Sequence, residues 1–244
     1  PPQVKRKCTR TWHIREANQW LWVWYHPEDA APLYEVVDLA EASDPDWTAY
    51  DVVEWRVFGS LQNMAENGVD FAHFKYIHGT AELPSSELSW GEWDRCGIVR
   101  AKMGTPKGMV DGAITSNSVG PGQAWVRFTG ICETLLVACI IPVELDELQV
   151  VYCYTQPREQ AEGPMAGLAR AIIKDVNKQL DQDKVVWDRM RYEPNPIICD
   201  GDGRSRISAS SIPVSTRRAM VSPRRCGQAT EVPTRRQVVA GGAA

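Results

Sequence analysis

Between about Gly97 and Gln156 the chain is written almost entirely in strand signals. IVRAKM, GAITSNSV, AWVRFTGI, TLLVACIIPV and ELQVVYCYT are rich in β-branched and aromatic residues, with Gly, Pro and Asp between them. Runs this closely spaced leave no room for the helical crossovers that parallel neighbours need, so they predict an antiparallel meander. Upstream, TAYDVVEWRVFGS reads as a further strand. In QWLWVWY, Leu21, Val23 and Tyr25 alternate with Trp20, Trp22 and Trp24. Both sets are apolar, which predicts a strand covered on both faces. HPEDAAP, from His26 to Pro32, is a turn-rich break.

Two segments interrupt this pattern. Ser60–Thr80 begins helically, with Ser60 suited to an N-cap; Gly68 weakens the helix and Gly79 ends it at the latest. Met165 to about Tyr192 predicts one long helix. The order is strands, helical insert, strands, long helix. It predicts an α+β fold of helix-grip type, in which a curved antiparallel sheet packs on a long C-terminal helix.

Charge narrows the function classes. A net charge of −4 over 244 residues does not suggest a nucleic-acid binder. Eight of the 27 Lys+Arg residues and one of the 31 acids lie in residues 204–244. That tail carries no aromatic residue and is expected to be a disordered or non-native basic extension of a domain spanning 1–203. No apolar run reaches the roughly 18–20 residues a transmembrane helix needs. The start, PPQVKRKCTR, has neither an apolar core nor an initiator Met, so a fragment or processed product is expected. Seven scattered cysteines with no CxxC pair predict reduced thiols and a cytoplasmic setting.

The chemistry concentrates in few residues. Of four histidines, His73 and His78 sit five apart beside Asp70. On a regular helix they would point about 140° apart, so they meet one metal only if the helix ends or bulges between them. Spacing alone therefore favours two unrelated histidines. The long helix is more informative. Its apolar stripe runs Leu168, Ile172, Val176, Leu180, then Trp187 and Met190, and the gap in it is filled by Asp183, within about 20° of the stripe's centre. Asp181 and Asp188 fall on the polar face. An ionised carboxylate in an apolar stripe must meet a cation, a strong donor or a metal. An Arg or Lys from the sheet and a metal both remain open at this point. Two histidines and one carboxylate match the facial triad of non-haem iron(II) oxygenases.

ENGVDFAHFKYIHG (Glu66 to Gly79) resembles the iron-binding signature of Rieske oxygenase α-subunits, and LDQDKVVWDRM (Leu180 to Met190) resembles that family's downstream carboxylate motif. HFKYIHG and IICDGDG are most similar to the steroid-acting branch, 3-ketosteroid 9α-hydroxylase and cholesterol 7-desaturase. The resemblance covers roughly Thr9 to Asp202. It implies that His73, His78 and Asp183 bind a mononuclear Fe(2+). It implies that Asp70 bridges electron entry to the ligand histidine, with Asn67 as a weaker supporting residue.

It also implies O2-dependent hydroxylation or desaturation of a steroid-like substrate, a reductase that draws electrons from NAD(P)H, and a homotrimer. The Cys-x-His and Cys-x-x-His ligands of a 2Fe–2S cluster are missing from the sequence. The cluster is therefore expected in an upstream module of the full-length protein, and the fragment alone is expected to be inactive. Loss of that module predicts exposed apolar surface on the face of Trp20, Trp22 and Trp24. The alternatives are an aromatic-ring-hydroxylating oxygenase of the same family, a lipid- or steroid-binding protein without catalysis, and a zinc hydrolase, for which FAHFKYIH supplies no catalytic Glu.

Overall fold

The computed structural model describes residues 11–80, 85–105, 108–144 and 146–191. A seven-stranded antiparallel sheet dominates: β3 (Asp51–Phe58), β4 (Ser85–Trp90), β5 (Asp94–Thr105), β6 (Gly108–Val119), β7 (Gln123–Thr129), β8 (Thr134–Glu144) and β9 (Glu147–Thr155). Their spatial order is β3-β9-β8-β7-β6-β5-β4. The five runs after Gly97 are β5–β9, each paired with the next. β3 closes one edge by pairing with β9, Val53 opposite Tyr152. The other edge, β4, has a polar sequence, SSELSW, with no strand signature. Its pairing with β5 defines it as a strand.

β9 explains why these strands are apolar on both sides. Val150 is fully buried against Val57, Leu180 and Trp187, while its neighbour Val151 is buried with Leu135, Val137, Cys139 and Cys153. Successive residues point to opposite faces, so the sheet has a core on each side. Each fully buried Val or Leu contributes about 1.5–3 kcal/mol.

One face is covered by α4 (Ala166–Trp187), supported by two short helices, α1 (Leu61–Asn67) and α2 (His73–Tyr76). A four-residue helix, α3 (Arg158–Ala161), leads into α4. Leu180 and Trp187 enter the apolar cluster, as the stripe predicted. Asp181 and Asp188 are more than a solvated face: Asp181 accepts from the Trp55 indole N–H at 2.8 Å and Asp188 from the Phe58 backbone N–H at 2.9 Å. Both tie α4 to β3.

The other face is covered by residues 34–50 and by a hairpin, β1 (His13–Ala17) and β2 (Trp20–Trp24). The strand expected at QWLWVWY is β2, and β1 is an additional strand that pairs with it. Asn18 and Gln19 take left-handed φ values of 55° and 61°, the geometry that a two-residue hairpin loop requires. Asn18 also pins the hairpin inward, donating to the Val37 carbonyl and accepting from the Leu39 N–H, each at 2.8 Å. Gly120, with φ of 59°, lies so close to the Tyr34 ring that a Cβ would overlap it.

Coverage of β2 on both faces is not what the structure has. Trp20 and Trp22 pack on the core, and the Trp24 ring meets Tyr34 edge-on at 5.0 Å. Leu21 and Val23 point outward, 59% and 54% exposed. The apolar surface is thus on the face opposite the tryptophans. The reason is steric economy: the large indoles fill the space over the sheet, and the period of two puts their neighbours in solvent.

Residues 204–244 lie outside the described part of the chain. Among the described residues, no helix is long and apolar enough to cross a membrane.

Candidate metal centre

The irregularity that two histidines at i, i+5 need is built into the insert. Ser60 caps α1 in a capping box with Asn63. α1 ends at Asn67, and α2 begins only at His73. The Asp70 carboxylate accepts from the backbone N–H groups of Ala72 at 3.0 Å and His73 at 3.3 Å, so it caps the first turn of α2. The turn then widens. The His73 carbonyl accepts from both Ile77 at 2.7 Å and His78 at 3.3 Å, the second being an i→i+5 bond. Gly79, with φ of 72°, turns the chain out. The widened turn brings the two imidazoles edge-to-face, with ring centroids 4.9 Å apart.

α4 supplies the third group from the opposite side. Asp183 is 8% exposed and its Oδ1 lies 3.4 Å from His78 Nε2. One ligand atom each from His73, His78 and Asp183 lie within 4.8 Å of one another. Among the described residues no Lys or Arg pairs with Asp183, so the arginine or lysine alternative has no candidate there. Two imidazole nitrogens and a carboxylate, without a neutralising side-chain cation, fit a divalent first-row metal with positions left open.

Both histidines have the second ring nitrogen occupied. His73 Nδ1 meets the backbone carbonyl of Asp70, and His78 Nδ1 lies 3.0 Å from Gln182 Oε1. Each Nε2 is thereby left for the centre. Burial of the His78 ring works against its charged form. The hydrogen bonds and charge of Asp183, with help from Gln182, outweigh that and hold its pKa above the usual value. Burial, and then the Asp183 charge, push up the Tyr152 phenol, which keeps its proton beside the site.

Asp70 meets His73 through its backbone carbonyl and, with its carboxylate, through the His73 backbone N–H. Asn67 ends α1 and makes no hydrogen bond to His73, His78 or Asp183. Two contributors carry no sequence signature. The Arg95 guanidinium, on β5, donates to the Gly68 carbonyl and anchors the turn between α1 and α2 to the sheet. A Cβ on Gly68 would lie about 2.5 Å from that guanidinium, so a larger residue there would have to displace the arginine side chain. Gln182 is the other. Its place beside Asp183 was visible, but its partner, 104 residues away, was not.

Residues 23–208 match the family model described as the 3-ketosteroid 9alpha-hydroxylase C-terminal domain. A 3-ketosteroid-9-alpha-monooxygenase oxygenase component from Rhodococcus rhodochrous is 25% identical over 221 residues, covering 83% of this chain and 55% of that protein. Cholesterol 7-desaturase from Caenorhabditis elegans is 24% identical over 233 residues, covering 83% and 53%. The chain therefore spans about half the length of these relatives. Dicamba monooxygenase has the same fold, with a TM-score of 0.65 at 13% identity over 87% of this chain and 71% of that one. The chain belongs to the 3-ketosteroid 9alpha-hydroxylase C-terminal domain family, in the steroid branch of the Rieske oxygenases.

Proposed function

We propose that His73, His78 and Asp183 hold a mononuclear Fe(2+), and that residues 1–203 are the catalytic domain of an oxygenase component acting on a steroid-like substrate. The observation that carries this reading is the convergence of the three ligand atoms within 4.8 Å around a buried carboxylate that no Lys or Arg neutralises. When bound, the iron supplies the site of O2 activation for hydroxylation or desaturation of a C–H bond. The three side chains would take one face of it, leaving the opposite face for O2 and water. The steroid assignment draws on the 3-ketosteroid monooxygenases and cholesterol 7-desaturases among the relatives.

The sheet and α4 form the helix grip, and substrate enters between them. Asp70 is the acid through which electrons from a 2Fe–2S module reach His73; the contact that favours this is its backbone carbonyl at His73 Nδ1, while its carboxylate meets only backbone N–H groups. Asn67 supports the same turn. In the full-length protein a reductase using NAD(P)H supplies the electrons, and a homotrimer brings the cluster of one subunit beside the iron of the next. The unpaired thiols of Cys96, Cys132, Cys139 and Cys153 agree with a cytoplasmic setting. A carrier protein on this fold has no use for the triad, and a zinc hydrolase lacks its general base.

Anaerobic reconstitution with Fe(2+), followed by gel filtration and metal analysis, tests the centre. Iron should stay with the native chain and be lost from the His73→Ala, His78→Ala and Asp183→Ala variants. Equal retention by all four, or none by the native chain, would overturn the assignment.

A further inference from the structure

We infer that Gln182 is the positioning residue that sets the tautomer and ring orientation of His78 for metal binding. The inference rests on the metal-site reading above and goes beyond it. His78 is gripped at both ring nitrogens by consecutive residues of α4. Asp183 Oδ1 lies 3.4 Å from Nε2, and Gln182 Oε1 lies 3.0 Å from Nδ1. A neutral imidazole carries one proton. If it sits on Nε2, that nitrogen cannot bind a metal. If it sits on Nδ1, Nε2 presents a lone pair to the centre. Gln182 Oε1 can only accept, so this contact selects the Nδ1–H form.

The two histidines differ in how they are held. His73 Nδ1 is satisfied by a backbone carbonyl, that of Asp70, which no side-chain change removes. His78 depends on a side chain from a different element. The contact also has a geometric consequence. The His78 side chain is 4% exposed, so its ring has little freedom except rotation about its own bonds. An acceptor fixed to α4 one residue before Asp183 couples that rotation to the placement of the carboxylate. A small axial shift of α4 would move both partners of the ring together. Gln182 thereby makes two ligands that are 105 positions apart in sequence behave as one preorganised unit.

The test uses the full chain, Co(2+) as the probe, and visible absorption to follow binding. Gln182→Leu removes the acceptor at similar volume, and Gln182→Met does so with an unbranched chain should the first variant fold poorly. Either should weaken Co(2+) binding by about 10–100-fold. Gln182→Glu keeps an acceptor oxygen and should recover most of the loss. A second readout is independent of affinity. In the Zn(2+)-loaded protein, nitrogen–proton correlation spectra should show His78 with a slowly exchanging Nδ1–H in the native chain and a rapidly exchanging one in the leucine and methionine variants. Native Co(2+) affinity with a protected Nδ1–H in both variants would overturn the inference. His78→Ala and Asp183→Ala separate the two levels. If they bind Co(2+) like the native chain, the metal site itself is wrong. If they lose it while Gln182→Leu and Gln182→Met do not, only the role of Gln182 falls.

Discussion

The two faces of the sheet are built from the same strands and do different things. On the hairpin side, Leu135, Val137, Cys139, Val151 and Cys153 pack beneath Trp20, Trp22 and Trp47. On the α4 side, Val57, Val150, Leu180 and Trp187 form a smaller apolar cluster, and buried polar groups adjoin it: Asp183, His78 and, toward the start of the helix, Tyr154 donating to Asn177 at 2.7 Å. The first face is organised for packing and the second gives up packing for polar groups. A buried carboxylate whose partner is His78 rather than a Lys or Arg is costly where it stands. The scaffold tolerates it because the opposite face supplies apolar burial that asks nothing of the site.

Four measurements can break or sharpen this contrast. The largest effect belongs to the packing face. Leu135 is fully buried, and Leu135→Ala should cost about 2–5 kcal/mol in denaturant unfolding. Its Co(2+) affinity should be unchanged in the fraction that remains folded. A parallel loss of affinity would mean that the two faces are not independent.

Asp183→Leu should act in the opposite direction. It should abolish metal binding, yet it replaces a buried charge with a side chain that suits the stripe. Metal-free stability should rise by about 1 kcal/mol or more. A lower midpoint than the native metal-free chain would show that the carboxylate is structurally compensated.

A smaller effect belongs to the clasp between α4 and β3. Burial disfavours the Asp188 carboxylate, but Lys184 and the Phe58 N–H outweigh that and hold its pKa below the ordinary value. A depressed pKa contributes stability that is complete above the ordinary carboxylate range and disappears as pH falls through the lower folded value. Asp188→Asn should therefore cost about 1 kcal/mol at neutral pH and almost nothing in strong acid. An equal cost at both would assign the effect to the hydrogen bond to Phe58 alone.

The smallest stability effect belongs to the outward side of the hairpin. Ile14, Leu21 and Val23 are 58%, 59% and 54% exposed. Leu21→Ser should change folding stability by no more than about 0.5 kcal/mol. It should still reduce self-association in sedimentation, because contiguous exposed apolar surface drives it. A destabilisation of several kcal/mol would mean that this face is covered.

Periodicity carried much of the reading. The long helix and the place of Asp183 on its apolar stripe follow from the 3.6-residue spacing that the backbone imposes on any chain, and the five strands from β-branched and aromatic runs set between turn residues. The capping role of Ser60 followed from local chemistry in the same way. The hairpin did not, because Asn18 and Gln19 offer no glycine and their left-handed conformation is stabilised by contacts with Val37 and Leu39. β4 was invisible because an edge strand need not be apolar. Which side of β2 faces water depends on what lies over the sheet, and alternation alone cannot say.

By itself, the sequence determined the alternation of strands and helix and the presence of a carboxylate that had to be compensated. Only the tertiary structure decided by what: a widened turn places His78 against Asp183, and Gln182 closes on its far nitrogen. The physical reason is range. Periodicity and capping act over a few residues, whereas the centre joins side chains about a hundred positions apart, and their distance exists only once the sheet has aligned the elements that carry them.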